Sequence, residues 1–182
     1  MGKKEIRKII RELKAAVIPA ITDISTLETK VFSGVENLNE FKCSSNILMY
    51  HSLQDEFPTT DTINRWAGHK NIYLPKVIGD DLMLLKYEPR FMHTGAYGIA
   101  EPDGTDRILP TQIDLIIVPA MAFDTQGNRL GRGKGYYDRL LAKTNAVTIG
   151  IGYDFQLLDS IPAAPHDRKM NYIFTPSYSI HL

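Results

Sequence analysis

From Gly127 to Asp138 the chain reads Gly-Asn-Arg-Leu-Gly-Arg-Gly-Lys-Gly-Tyr-Tyr-Asp, with four glycines and four basic or amide side chains between positions 127 and 135. Glycine reaches positive φ and lets backbone N–H groups come close to a ligand. A helix beginning at its end adds partial positive charge and unpaired donors. With Arg129, Arg132 and Lys134, such a loop can cradle a phosphate. It is not a Walker A loop, because Gly135 stands where a Mg2+-binding hydroxyl is required, and it lacks the last glycine of the dinucleotide fingerprint. Taken alone, a flexible basic loop has the same composition.

The elements around this loop follow from the apolar pattern. Leu115-Ile116-Ile117-Val118, between Asp114 and Pro119, is a continuous β-rich run suited to a central parallel strand covered on both faces. Residues 136–143 read as a helix. Val147–Ile151 and Tyr172–Phe174 are further buried strands, as are Asn46–Tyr50, Ile72–Leu74 (ending at Pro75) and residues 82–87. A helix is expected through Ile6, Ile9, Ile10, Leu13 and Val17, stopped by Pro19, and another after Thr22-Asp23. Thr59-Thr60-Asp61 offers an N-cap for a helix through Ile63 and Trp66. Strands alternating with helices predict an α/β protein: a three-layer αβα sandwich on a mostly parallel, Rossmann-like sheet, as one catalytic domain over residues 1–182.

The chain has 182 residues, 43% apolar and 23% charged, with 21 basic and 21 acidic side chains. That balance argues against a dedicated nucleic-acid or membrane-surface binder. One cysteine, Cys43, excludes an internal disulfide and a multi-cysteine zinc site. No apolar run approaches the roughly 20 residues of a membrane span, and the start of the chain lacks a signal core. A cytoplasmic protein is expected. Residues 1–14 nonetheless carry six basic groups against two acidic ones. Lys3 and Arg7, four residues apart, share one helix face, although a solvated face explains such a cluster equally well.

The glycine-rich stretch and its flanks resemble the 5-formyltetrahydrofolate cyclo-ligase family. Asn128–Asp138 is similar to its signature, and Asp114–Pro119 with Phe123-Asp124 to its strand and entry loop. Lys3 and Arg7 match a basic pair on the family's first helix, and Ser52–Glu56 its folate-contacting segment. Tyr97–Pro102 resembles a segment that the family usually opens with Trp, and His166-Asp167 lies where a late acidic metal ligand is expected. Ala120 and Ala122 depart mildly, since the family often has glycine at the first of them. The matches run in order from residue 3 to about 175.

The resemblance implies an ATP- and Mg2+-dependent enzyme. It phosphorylates the formyl oxygen of 5-formyltetrahydrofolate, lets N10 attack the activated carbon, and yields 5,10-methenyltetrahydrofolate, ADP and phosphate. It assigns Lys3, Arg7, Arg129, Gly131, Arg132, Gly133, Lys134, Gly135, Tyr136 and Tyr137 to ATP, with Lys134 or Arg132 following the transferred phosphoryl group. It assigns Glu56, His51, Tyr97 and Tyr137 to folate, and Asp138 and Asp167 to Mg2+. A monomer is expected, and the charge balance already argues against a nucleic-acid or membrane partner. Read without the resemblance, Asp167 suits a capping role, Tyr136-Tyr137 suits rim packing, and Glu56 suits a turn. His51, His69, His93 and His181 show no metal spacing. A sugar-phosphate isomerase, a CoA-transferase-like enzyme or a non-catalytic nucleotide-binding regulator would also use a phosphate loop on this scaffold.

Overall fold

The computed structural model describes residues 1–94, 100–164 and 167–182. Among these residues five α-helices lie in chain order: α1 (Lys3–Val17), α2 (Ile24–Glu36), α3 (Asn39–Cys43), α4 (Thr60–Trp66) and α5 (Tyr136–Leu141). The strands are β1 (Asn46–Leu48), β2 (Asn71–Ile78), β3 (Asp81–Lys86), β4 (Met92–Thr94), β5 (Ala100–Pro102), β6 (Arg107–Ile108) and β7 (Leu115–Val118). They continue with β8 (Ala122–Asp124), β9 (Arg129–Leu130), β10 (Val147–Ile151), β11 (Leu157–Leu158), β12 (Tyr172–Phe174) and β13 (Ser179–His181). The main sheet runs β13-β12-β10-β7-β1-β2-β3-β6. The strands from β12 to β2 are parallel, and β13, β3 and β6 add antiparallel edges. The expected α/β fold with a mostly parallel central sheet is present.

Alternation along the central strands feeds two cores. Ile47, Leu115, Ile117, Ile149 and Ile151 face Phe32, Val35, Ile63 and Trp66 of α2 and α4. Leu48, Ile116, Val118 and Ile173 face Leu140 and Leu141 of α5 and Phe123 of β8. A strand covered on both sides has no polar face, which is why β7 reads as an unbroken apolar run. A third cluster packs Ile6 and Ile10 of α1 on Met121, Ala122, Leu130 and Ile161, so α1 lies over the small sheet β11-β8-β9.

Three local expectations need correction. β2 does not end at Pro75 but runs on to Ile78, paired with β3. The last β1 partner in β2 is Tyr73, so Pro75 falls where the strand pairs on one side only and a missing N–H is tolerated. Thr59 occupies the N-cap position of α4 without capping it; its buried hydroxyl donates to the Tyr50 carbonyl at 2.7 Å. Glu28 of α2 supplies the acceptor, taking the Thr62 N–H at 2.7 Å. Finally, the glycine stretch is not one loop joining strand to helix, because the β8–β9 hairpin intervenes. Gly127, at φ 87°, belongs to that hairpin's turn, and a Cβ there would stand 2.6 Å from Leu182 and 3.1 Å from the Met170 carbonyl oxygen.

Candidate active site

The chain leaves β1 toward β2 on one side, and leaves β7 toward β10 on the other. This reversal of winding makes the carboxyl ends of β1 and β7 the topological switch point, where open α/β sheets bind their ligands. The loop after β1 carries His51, Asp55 and Glu56. The segment after β7 carries the hairpin and then Gly131–Gly135. α1 crosses beside them.

The two segments are joined by Arg132. Its Nη2 donates to Asp55 Oδ1 at 2.6 Å and to Glu56 Oε1 at 3.0 Å, and its Nε donates to the same Glu56 oxygen at 3.1 Å. Glu56 Oε2 accepts the Leu53 N–H at 3.1 Å, so the Glu56 carboxylate, 11% exposed, both closes its own turn and faces the glycine loop. Arg7 Nε donates to the Gly131 carbonyl at 2.8 Å, pinning the loop backbone to α1. Gly133 (φ 109°) and Gly135 (φ 73°) hold the left-handed backbone that gives the loop its tight curvature before α5. At Gly133 a Cβ would touch the Arg7 guanidinium at 3.7–3.9 Å.

Arg129 is almost enclosed, 6% exposed, paired with Asp138 and lying 5.8 Å from the Tyr137 ring centroid. Asp138, in the first turn of α5, keeps its side chain 65% exposed. Asp167 Oδ2 accepts from Lys3 Nζ at 3.1 Å and from the Ala164 N–H at 2.8 Å. Asp167 thus caps a turn and anchors the start of α1 in this arrangement. Lys134 lies in the exposed stretch 132–134, and its carbonyl oxygen accepts from Arg139 at 3.3 Å. Arg139 also holds the Asp80 carbonyl and lies over Tyr136, tying α5 to the β2–β3 turn. Tyr97 lies outside the described residues, as does His166.

Beneath Glu56 three phenols converge. Tyr50 donates to the Phe57 carbonyl at 3.0 Å, and Tyr153 reaches the Glu56 carbonyl at 3.5 Å. The buried Tyr137 hydroxyl has no hydrogen-bond partner among the described residues. Burial raises all three phenols, Tyr153 to about 12, with nearby carboxylates adding to the rise. Burial likewise holds the His51 imidazole below its ordinary value. For Asp55, burial acts upward, but Arg132 and Lys14 outweigh it and keep the carboxyl below the usual range.

Matched against known families, residues 1–176 fit the 5-formyltetrahydrofolate cyclo-ligase family model. The chain belongs to the 5-formyltetrahydrofolate cyclo-ligase family. It is 31% identical over 175 residues to the 5-formyltetrahydrofolate cyclo-ligase of Haemophilus influenzae, covering 91% of this chain and 92% of that one. With a probable 5-formyltetrahydrofolate cyclo-ligase of Schizosaccharomyces pombe it shares 30% identity, covering 97% and 96%. The solution structure of Aquifex aeolicus 5,10-methenyltetrahydrofolate synthetase superposes with a TM-score of 0.87 at 33% identity, covering 100% of this chain and 93% of that one. The Mycoplasma pneumoniae 5,10-methenyltetrahydrofolate synthetase gives 0.77 at 28% identity, covering 97% and 100%.

Lys14, Asp55 and Arg139 enter the site without having been singled out in the sequence. Lys14 had a usable signal. It continues the buried Ile6–Ile10 stripe at the next four-residue step, a place where a solvated lysine does not belong. Asp55 was legible only as the neighbour of Glu56, and Arg139 as an ordinary helical arginine.

Proposed function

We propose that the protein catalyses the ATP- and Mg2+-dependent cyclisation of 5-formyltetrahydrofolate to 5,10-methenyltetrahydrofolate, releasing ADP and phosphate. The observation that carries this reading is the meeting of the positive-φ glycine loop with the Glu56 carboxylate at the switch point, through Arg132. One side of that meeting suits phosphate, and the other suits the adjacent N–H donors of a pterin ring. The family relationship supplies the reaction that needs both.

In this reading Lys3, Arg7, Arg129, Arg132, Lys134 and the amides of Gly131, Gly133 and Gly135 bind the triphosphate, with Tyr136 and Tyr137 at its edge. Glu56, His51, Tyr97 and Tyr137 bind the folate. The formyl oxygen attacks the γ-phosphorus, and the bond from that phosphorus to the bridging oxygen of ADP breaks. N10 then adds to the activated carbon and gives up its proton, and phosphate leaves as the C–N double-bond character of the ring forms. Lys134 and Arg132 neutralise charge on the phosphoryl group in flight, a positioning and electrostatic task.

Among the described residues no group of three or more His, Cys, Asp or Glu side chains could cage a metal ion. Mg2+ commonly takes only one or two carboxylates, the rest of its shell being water and phosphate oxygens. Asp138, exposed at the head of α5, fits that role, and Asp167 would have to loosen its hold on Lys3 to share it. When bound, Mg2+ supplies charge neutralisation on the polyphosphate. The test is to mix purified protein with 5-formyltetrahydrofolate, ATP and Mg2+ and follow methenyl absorbance together with ADP and phosphate. Equal amounts of all three products are expected. ADP release indifferent to folate, or no methenyl product, would overturn the proposal.

A further inference from the structure

Lys14, assigned to neither substrate, has a side chain only 3% exposed and points its ammonium at Asp55 Oδ2, 3.5 Å away. Burial draws its proton affinity below the ordinary lysine value, partly offset by Asp55. A lysine is rarely enclosed unless it is paired, and this one is paired with the carboxylate that also holds Arg132. The result is a closed set of four charges: Lys14, Asp55, Arg132 and Glu56, two of each sign. Three members are reachable from solvent to differing degrees (Asp55 42%, Arg132 43%, Glu56 11%), and Lys14 is not. The backbone just before Arg132 is fixed by Arg7 at Gly131, so the movable part is the Arg132 side chain.

We propose that Arg132 is a latch between the two substrate sites, and that Lys14 is the positioning residue that lets it open. The inference rests on the functional reading above. Without ligands, Arg132 occupies both Glu56 and Asp55. Phosphates compete for its guanidinium, and when they win, Glu56 is left with unused acceptor capacity for the N–H groups of a pterin. A pterin on Glu56 in turn strips Arg132 of two of its three carboxylate hydrogen bonds and releases it toward phosphate. Each substrate therefore strengthens the binding of the other, by the same factor in both directions. Asp55 would oppose the exchange by retaining Arg132, except that Lys14 stays behind as its counter-charge. Lys14 acts through Asp55 and touches neither substrate.

Equilibrium dialysis with 5-formyltetrahydrofolate and the β,γ-imido analogue of ATP, in the presence of Mg2+, tests this without turnover. In the wild-type protein the analogue should tighten folate binding by about fivefold or more, within the usual range of such couplings, and folate should tighten the analogue equally. Lys14→Met should bind the analogue alone more weakly and lose most of the coupling. Adding Asp55→Asn to that variant should restore analogue binding, because the charge needing Lys14 is gone; a packing defect would not be repaired that way. Lys14→Arg should keep the coupling. Should Lys14→Met fail to fold, Asp55→Asn alone still decides, since it loosens the latch and should tighten analogue binding. Independent binding of the two ligands in the wild type, or no tightening in Asp55→Asn, would overturn the latch. If neither ligand binds at all, the functional reading itself fails.

Discussion

The turn that presents the glycine loop is built on one buried carboxyl group, which allows its removal to be worked out bond by bond. Asp124 is fully buried. Its Oδ1 accepts from the Gln126 N–H at 3.0 Å and the Asn128 N–H at 2.9 Å, and its Oδ2 accepts from Asn128 Nδ2 and the Ile161 N–H, both at 2.8 Å. Asp124→Asn keeps one acceptor oxygen and turns the other into an NH2. The cheaper orientation places that NH2 toward Asn128, whose amide can turn over and accept it. The buried Ile161 N–H is then orphaned. One orphaned donor costs about 1–3 kcal/mol, and weakening the remaining bonds from ionic to neutral adds about 1 kcal/mol. A loss of about 2–4 kcal/mol should lower Tm by roughly 5–15 °C in a chain of this length. Asp124→Ala orphans all three backbone donors and should cost more than Asn. Urea and thermal unfolding followed by circular dichroism measure both variants. An Asn variant within about 1 kcal/mol of wild type, or one as costly as Ala, would refute this account of the turn.

Glu56→Gln should weaken 5-formyltetrahydrofolate binding by about one to two decades while leaving nucleotide affinity unchanged or slightly improved, because a charged acceptor is lost and Arg132 is loosened; equal weakening of both ligands in calorimetry would make Glu56 purely structural. Tyr137→Phe should raise stability by about 1 kcal/mol in urea unfolding, since it removes a buried hydroxyl with no partner among the described residues, and should lower turnover, since that hydroxyl is left to pair with a bound substrate. A destabilised Phe variant would show that the hydroxyl is satisfied after all. Burial holds His51 below its ordinary value near 6.5, so the unfolded chain takes up its proton first. Wild-type stability should therefore fall as pH drops through about 6.5 and level off below the folded value. His51→Gln should flatten that part of the stability curve, and a ring titrating above 6.5 by NMR would contradict the burial argument.

The layer architecture was legible along the chain because the central strands are buried on both faces, so that β7 appears as an unbroken apolar run and β10 as an apolar one interrupted by Thr148 and Gly150. The amphipathic stripe of α1 and its stop before Pro19 were legible for the same reason, since burial leaves a periodic trace. The short strands β8, β9 and β11 were not. Their pairing follows from Asp124 collecting donors from residues up to 37 positions away, and a single buried acceptor leaves no periodicity. The cap of α4 was misplaced because Glu28, 34 residues upstream, reaches the Thr62 N–H better than the Thr59 hydroxyl.

In the site itself, residue types and spacing singled out Gly131–Gly135 as the proposed phosphate loop, and the family resemblance added Glu56 and the basic pair Lys3 and Arg7 as proposed contacts. Partnership was decided only in three dimensions. Arg129 reads in the chain like Arg132, but the fold encloses Arg129 against Asp138 and Tyr137 and leaves Arg132 to span to Asp55 and Glu56. Lys14 differs along the chain from the other five basic groups of the first fourteen residues only in continuing the Ile6–Ile10 stripe, and packing makes it a buried counter-charge. Local sequence dictates periodicity, turns and charge; Coulombic and hydrogen-bond partnership depends on distance, and across 41 to 77 positions of chain that distance is set by how the sheet winds.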